Sequence, residues 1–343
     1  MNKTKFVRRM ILLVVIFVLA GCTAASETPA AHEDETAAGL LSLPEITAVT
    51  LANRPLRVVA TTSLIGDVVG HIGGEAIALT VLMDGGQDPH SYEPSAGDLT
   101  AVADADVVFV NGWNLEEGLV GDLATIAEGA PLVPISAGIE PLEFGSAGHD
   151  HEEEEDDEHE AHAGADPHVW FAVQHVQQWA QNTAAVLGGL DPANEATYQT
   201  NLTSYLAELE TLGEELAAQM ATIPAEKRKL VTNHDALGYL AATYDLELVG
   251  TVIPGASTLA EPAASDLAEL VQAMTDEGVC TIFSESTVSS QLADTVAAEL
   301  AHCESVTVLP LFTGALGPQG SGAETYSGFM RTNVATIVQG LGQ

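Results

Sequence analysis

Short apolar, β-branched runs recur along the chain with helix-period segments between them. Leu56 to Thr62, Ile77 to Met83, Val107 to Val110 and Leu132 to Ile135 read as strands, and Leu64 to Ile72, stopped by Gly73-Gly74, reads as a helix. A second series follows at Lys229 to Thr232, Leu246 to Ile253, Val279 to Ser284 and Ser305 to Leu309, with helices beginning near Asp235, Glu261, Ser289 and Ala323. Strands that alternate with helices predict parallel sheets. The expected fold class is therefore α/β, with two lobes of parallel β-sheet flanked by helices.

Between the two series the period changes. A helix is expected from about Ala172 to Leu187, and Asp191-Pro192 then opens a longer one to about Ile223, with Leu202, Tyr205, Leu206, Leu209, Leu212, Leu216 and Met220 recurring at three and four. Some 30 residues at the helical rise reach about 45 Å, more than one lobe of this size needs. The pattern predicts a rigid strut: residues 55–190 form one lobe, 191–224 the connecting helix and 225–343 the second lobe, with a cleft between the lobes.

The amino terminus has a different character. Lys3, Lys5, Arg8 and Arg9 precede the apolar run Met10 to Ala20, about half the length needed to span a membrane, and this predicts an export signal over residues 1–21. Leu19-Ala20-Gly21-Cys22 resembles a bacterial lipobox, which makes Cys22 the lipidated first residue of the mature chain. Residues 22–54, rich in Ala, Thr, Ser, Glu and Pro, read as a flexible tether. The protein is thus expected outside the cytoplasm, anchored by lipid to the cell membrane and facing periplasm or exterior.

Composition narrows the partners. The 343 residues, 46% apolar, suffice for a core in each of two lobes, and a formal charge of -39 excludes nucleic acid and acidic membrane surfaces. A monomer is expected. In an exported protein Cys280 and Cys303, one at the start of a strand and one just before the next, are expected to form a disulfide, with two buried thiols as the alternative. The absence of Cys-x-x-Cys spacing argues against a zinc–thiolate site.

Two kinds of histidine carry the candidate chemistry. Within an acidic loop at 145–165, His149, His151, His159 and His162 are interleaved with nine carboxylates between His149 and His162, a composition that cannot fold alone but attracts divalent cations at low affinity. Three others stand in stiff turns: His90 and His168 each follow Asp-Pro, and His234 follows a strand in Thr232-Asn233-His234-Asp235. Ligands of open α/β sheets bind beyond the carboxyl ends of strands, which suits His90 and His234. His71, His175 and His302 read as structural, and His32 lies in the tether.

Asp-Pro-His-Ser-Tyr-Glu-Pro-Ser, Asp-Pro-His-Val-Trp-Phe, the block at 232–240, Ile-Phe-Ser-Glu at 282–285 and Gly-Ala-Glu-Thr-Tyr at 322–326 resemble the zinc and manganese solute-binding lipoproteins of bacterial ABC importers. The resemblance runs from about residue 56 to 343. It implies a metal held in the cleft by His90, His168 and His234, delivery to an ABC permease and its ATPase, and no enzymatic activity. Where that family often has an acidic fourth ligand in Thr-Asp-x-Leu-Gly, this chain reads Thr313-Gly314-Ala315-Leu316-Gly317, which leaves Glu285 or water as the fourth ligand. The alternative to Glu285 ligating the metal is Glu285 as an acceptor that orients one of the imidazoles. Three imidazoles favour zinc, nickel or copper over the alternative, Mn(II), which takes more oxygen, and availability with the His-rich loop makes Zn(II) the expected ion. A zinc-dependent hydrolase and a surface metal-binding adhesin or buffer are the competing readings.

Overall fold

Among the described residues eight strands, arranged in two separate four-stranded sheets, place the carboxyl ends of their central strands at a common boundary. The structure is a computed structural model and describes residues 39–119, 123, 125–127, 129–143, 164–255 and 257–342. The first sheet holds β1 (Leu56–Ala60), β2 (Ile77–Val81), β3 (Val107–Val110) and β4 (Leu132–Pro134) in the order β2-β1-β3-β4. The second holds β5 (Lys229–Thr232), β6 (Glu247–Thr251), β7 (Thr281–Glu285) and β8 (Thr307–Leu311) in the order β6-β5-β7-β8. Every strand pair is parallel, as the alternating pattern predicts. The export signal, Cys22 and the acidic run from His149 to His162 lie outside the described residues.

Local chemistry sets the element ends. β1 stops at Ala60 because Thr62 caps α1 (Ser63–Gly73), its hydroxyl accepting from the Ile65 amide at 3.2 Å. Ser95 and Asp98 form a capping box at the start of α2 (Ala96–Ala103). The helix expected from Asp235 begins only at Gly238 (α5, Gly238–Tyr244), since the intervening turn is held by Asp235 N–H to Gly255 C=O at 3.1 Å and by the Thr232 hydroxyl to His234 C=O at 2.8 Å. That delay leaves His234 free of the helix.

The helix expected at 172–187 is α3 (Val173–Leu190), and the long one is α4 (Glu195–Met220), 26 residues or about 39 Å. Tyr198, Tyr205, Leu209, Leu212, Leu216 and Met220 form its buried stripe. The helix packs on α1 and α3 of the first lobe and on α6 (Tyr326–Leu341) of the second, so one element braces both. Arg228 closes its far end, donating to the carbonyls of Met220, Ile223 and Tyr244. A single apolar core runs through both lobes, from Leu56 and Phe109 through Trp170 and Phe171 to Phe283 and Phe329, with smaller cores on the outer side of each sheet.

Residues 39–54 correct the expected tether. Leu43, Ile46, Val49 and Leu51 pack against the core, the Val49 amide donates to Leu190 C=O, and Leu41 C=O accepts from the Gly138 amide, both at 2.9 Å. A methyl group built on Gly189 would meet Ile46 Cγ2 at 2.7 Å, so α3 carries a glycine where this strap crosses it. The polar composition hid four apolar side chains spaced two or three apart, enough to hold an extended segment on a lobe.

Cys280 and Cys303 are bonded as a disulfide with their Cα atoms 5.9 Å apart, joining the chain just before β7 to the turn before β8. Among the described residues no helix is long and apolar enough to cross a membrane.

Candidate metal centre

His90, His168 and His234 come from three separate segments and meet at the lobe boundary. His90 lies in the loop after β2, His168 in the segment before α3, and His234 directly after β5. Their Nε2 atoms converge: His168 is 3.3 Å from His90 and 3.2 Å from His234. Each side chain is almost wholly removed from solvent, at 4%, 1% and 2% exposure, so an ion there would exchange its hydration shell for imidazole.

The Asp-Pro-His turns are built alike. Asp88 Oδ1 accepts from the His90 amide at 3.0 Å, and Asp166 Oδ1 accepts from the His168 amide at 2.9 Å. In both turns the aspartate accepts the amide two residues on, while proline restricts the backbone between them. Asp166 Oδ1 also lies 2.8 Å from His168 Nδ1, so this nitrogen donates and Nε2 keeps its lone pair for the cleft. The Pro167 carbonyl accepts from Asn111 Nδ2 at 2.9 Å, and the Asn111 amide donates to the buried Glu116 at 2.8 Å. The His168 turn is thereby tied to the end of β3.

Glu285, expected among the ligands, stands behind His234. Its Oε1 accepts from both His234 Nδ1 and the His234 amide, and its Oε2 accepts from the Thr313 hydroxyl at 2.6 Å. The carboxylate faces the Nδ1 side of the ring, opposite the converging Nε2 atoms. Among the described residues the cluster of metal-ligating atoms here, all within 4.8 Å of one another, consists of the three histidines. For His90 the carboxylate on the Nδ1 side is Glu117, a looser partner at 3.5 Å.

Burial and charge separate the titrations. Burial, helped by the two neighbouring imidazoles, pushes His168 well below the ordinary histidine range. Burial acts the same way on His234, but the charge and hydrogen bond of Glu285 outweigh it and raise the ring. Burial also lifts Asp166 to about 7, against the hydrogen bond from the His168 amide. Glu285 is held below the carboxylate range because the His234 charge overcomes desolvation.

Gly314, where an acid would be expected by resemblance, is filled from the other lobe. A Cβ on Gly314 would lie 2.6 Å from Pro89 Cδ, beside His90. The same loop accepts Trp170 Nε1–H at Thr313 C=O, 2.9 Å, and donates its Leu316 amide to Ser63 Oγ, 3.0 Å. Sequence reasoning missed Asp88, Asp166, Thr313 and Glu117 as partners. The aspartate two residues ahead of each histidine was the available signal; for Thr313 and Glu117 only the fold supplies one.

His71 stacks on Tyr205 and His175 packs edge-on to Tyr239, and neither belongs to the three-ring cluster. The family profile described as zinc-uptake complex component A, periplasmic, matches residues 58–340. The manganese-binding lipoprotein MntA of Halalkalibacterium halodurans is 30% identical over 97% of this chain and 97% of its own length, and that of Bacillus subtilis 31% identical over 84% and 91%. The solved structure of the periplasmic zinc-binding protein TroA from Treponema pallidum superposes with a TM-score of 0.73 at 28% identity, covering 84% of this chain and 99% of that one. Two parallel sheets, a bracing helix and three inward imidazoles therefore sit on a chain that belongs to the zinc-uptake component A family of metal-binding receptors of bacterial ABC importers.

Proposed function

We propose that this protein captures Zn(II) on His90, His168 and His234 outside the cytoplasm and passes it to an ABC permease driven by its ATPase. The lipid on Cys22 would keep the receptor at the membrane, and the acidic run holding His149, His151, His159 and His162 would gather ions at low affinity.

The observation that carries this reading is the spacing of the three Nε2 atoms. A tetrahedral ion holding nitrogens at about 2.0–2.1 Å separates them by roughly 3.3–3.4 Å. The 3.2 and 3.3 Å spacings from His168 to His234 and His90 are close to what nitrogens sharing one ion require. A fourth position remains for water.

Zinc is favoured over manganese by donor type. Manganese takes oxygen-rich, octahedral surroundings. Here the nearby carboxylates are turned to Nδ1 atoms, and Gly314 with Pro89 against it supplies no oxygen side chain. A hydrolase would need a base near the open position, and Glu285 has both oxygens engaged behind His234.

Chelator competition with Zn(II) and Mn(II) on the full chain, on His168→Ala and on a chain lacking 149–162 tests the reading. It expects a zinc preference, a loss of orders of magnitude in His168→Ala and a nearly intact tight site in the deletion. A manganese preference would reassign the cargo, and equal losses in both variants would move the site.

A further inference from the structure

The disulfide of the second lobe has a metal-ligating side chain set against it. His302 Nε2 lies 3.2 Å from Cys303 Sγ and 3.7 Å from Cys280 Sγ. His302 Nδ1 lies 3.3 Å from Thr275 Oγ1, so one ring nitrogen meets a hydroxyl while the other meets both sulfurs. The two sulfurs are partly buried and the histidine is exposed.

The trio lies at the opposite end of the strands from the three-histidine cluster. Cys280 precedes β7, whose last residue is Glu285, roughly 16 Å away along an extended strand.

An ion bound to one imidazole and one thiolate at tetrahedral angles separates nitrogen from sulfur by roughly 3.5–3.6 Å. Both His302–sulfur spacings already bracket that value. What forbids metal is the bond between the sulfurs, because the thiolate is the ligand form and neither sulfur is one. Cα atoms 5.9 Å apart leave room for two unbonded sulfurs to stand off by roughly 3.7–3.8 Å around a shared ion.

We propose that Cys280, His302 and Cys303 form a second metal site that is closed while the disulfide is intact and opens on reduction to a thiophilic divalent ion such as Zn(II) or Cd(II). The reductant is a dithiol. One of its thiolates attacks a sulfur of the pair, the second thiolate displaces the mixed disulfide, and two electrons and two protons pass to Cys280 and Cys303 as the dithiol closes to its own disulfide. Binding then releases the two thiol protons as the sulfurs ligate, with the His302 Nε2 lone pair as third donor and water as fourth. Sequence spacing argued against a zinc–thiolate site here; the fold brings together what Cys-x-x-Cys would have placed adjacently.

The test titrates Co(II) into the full-length protein whose main site already holds one equivalent of Zn(II), before and after reduction with tris(carboxyethyl)phosphine. The sulfur-to-cobalt charge-transfer band separates this site from imidazole and carboxylate sites elsewhere. The proposal expects no band before reduction, a band saturating at one equivalent after it, and at least tenfold weaker binding in His302→Ala, a surface change that leaves the oxidised fold intact. No band with Cys280 and Cys303 both shown to be free thiols, loss of the fold on reduction, or unchanged affinity in His302→Ala would each overturn it.

Discussion

Glu285 holds His234 from behind: one carboxylate oxygen accepts from both the ring Nδ1 and the backbone amide of His234, and the other accepts from Thr313. The imidazole is left with one tautomer and one direction, its Nε2 toward His168. Replacement by glutamine should keep the shape while weakening the anchor. Zinc affinity is expected to fall roughly 10–100-fold in Glu285→Gln, less than in His234→Ala, as measured by chelator competition. Equal losses in the two variants would place Glu285 on the ion.

Acid should release the ion through the ring whose proton affinity is raised. Metal requires neutral rings, and His234 is the ring whose proton affinity is raised, whereas His168 is already deprotonated well below the usual range. As pH falls through the elevated titration of His234, a proton competes with zinc and affinity drops by about a factor of ten per pH unit. In Glu285→Gln the raising charge is gone, so the bend in log affinity against pH moves to lower pH. A bend that stays in place would contradict the assignment of Glu285 as its cause.

Gly314 makes a steric prediction. In Gly314→Ala the new methyl meets Pro89, whose ring is stiff and directly precedes His90. Overpacking of this kind costs about 1–3 kcal/mol, and here it displaces a ligand. Zinc affinity measured by competition should fall roughly tenfold, and the thermal midpoint of the metal-free protein should drop by about 2–4 °C per kcal/mol of that cost.

Asp88 links a ligand turn to the opposite lobe. Its Oδ1 accepts the His90 amide, and its Oδ2 accepts the Thr258 hydroxyl at 2.6 Å. A hydrogen bond to a charged group contributes about 1.5–3 kcal/mol. Thr258→Val should therefore speed zinc release by roughly tenfold, read as the rate of capture by excess chelator in stopped flow, with a smaller change in the capture rate. Unchanged release would mean that this contact does not restrain opening.

The sheets were legible because each β-branched run has period and punctuation of its own, and all eight expected strands overlap observed ones. Expected ends overran wherever a side chain outside the pattern decided them, as Thr62 does for β1 and the Thr232–His234 turn does for α5. The strap at 39–54 was illegible because its order comes from α3 and the end of β4, not from its own residues. At the site, turn chemistry exposed His90, His168 and His234. The side of the ring on which Glu285 sits depends on how β7 lies beside β5, a relation that no local pattern encodes.

The three-imidazole centre is tested most directly by X-ray absorption at the zinc edge on protein loaded with one equivalent. The account predicts three imidazole nitrogens at about 2.0–2.1 Å with one further light atom, and the loss of one imidazole in His168→Ala. A spectrum with a single imidazole, or with five or six oxygen-dominated neighbours unaffected by His168→Ala, would contradict it.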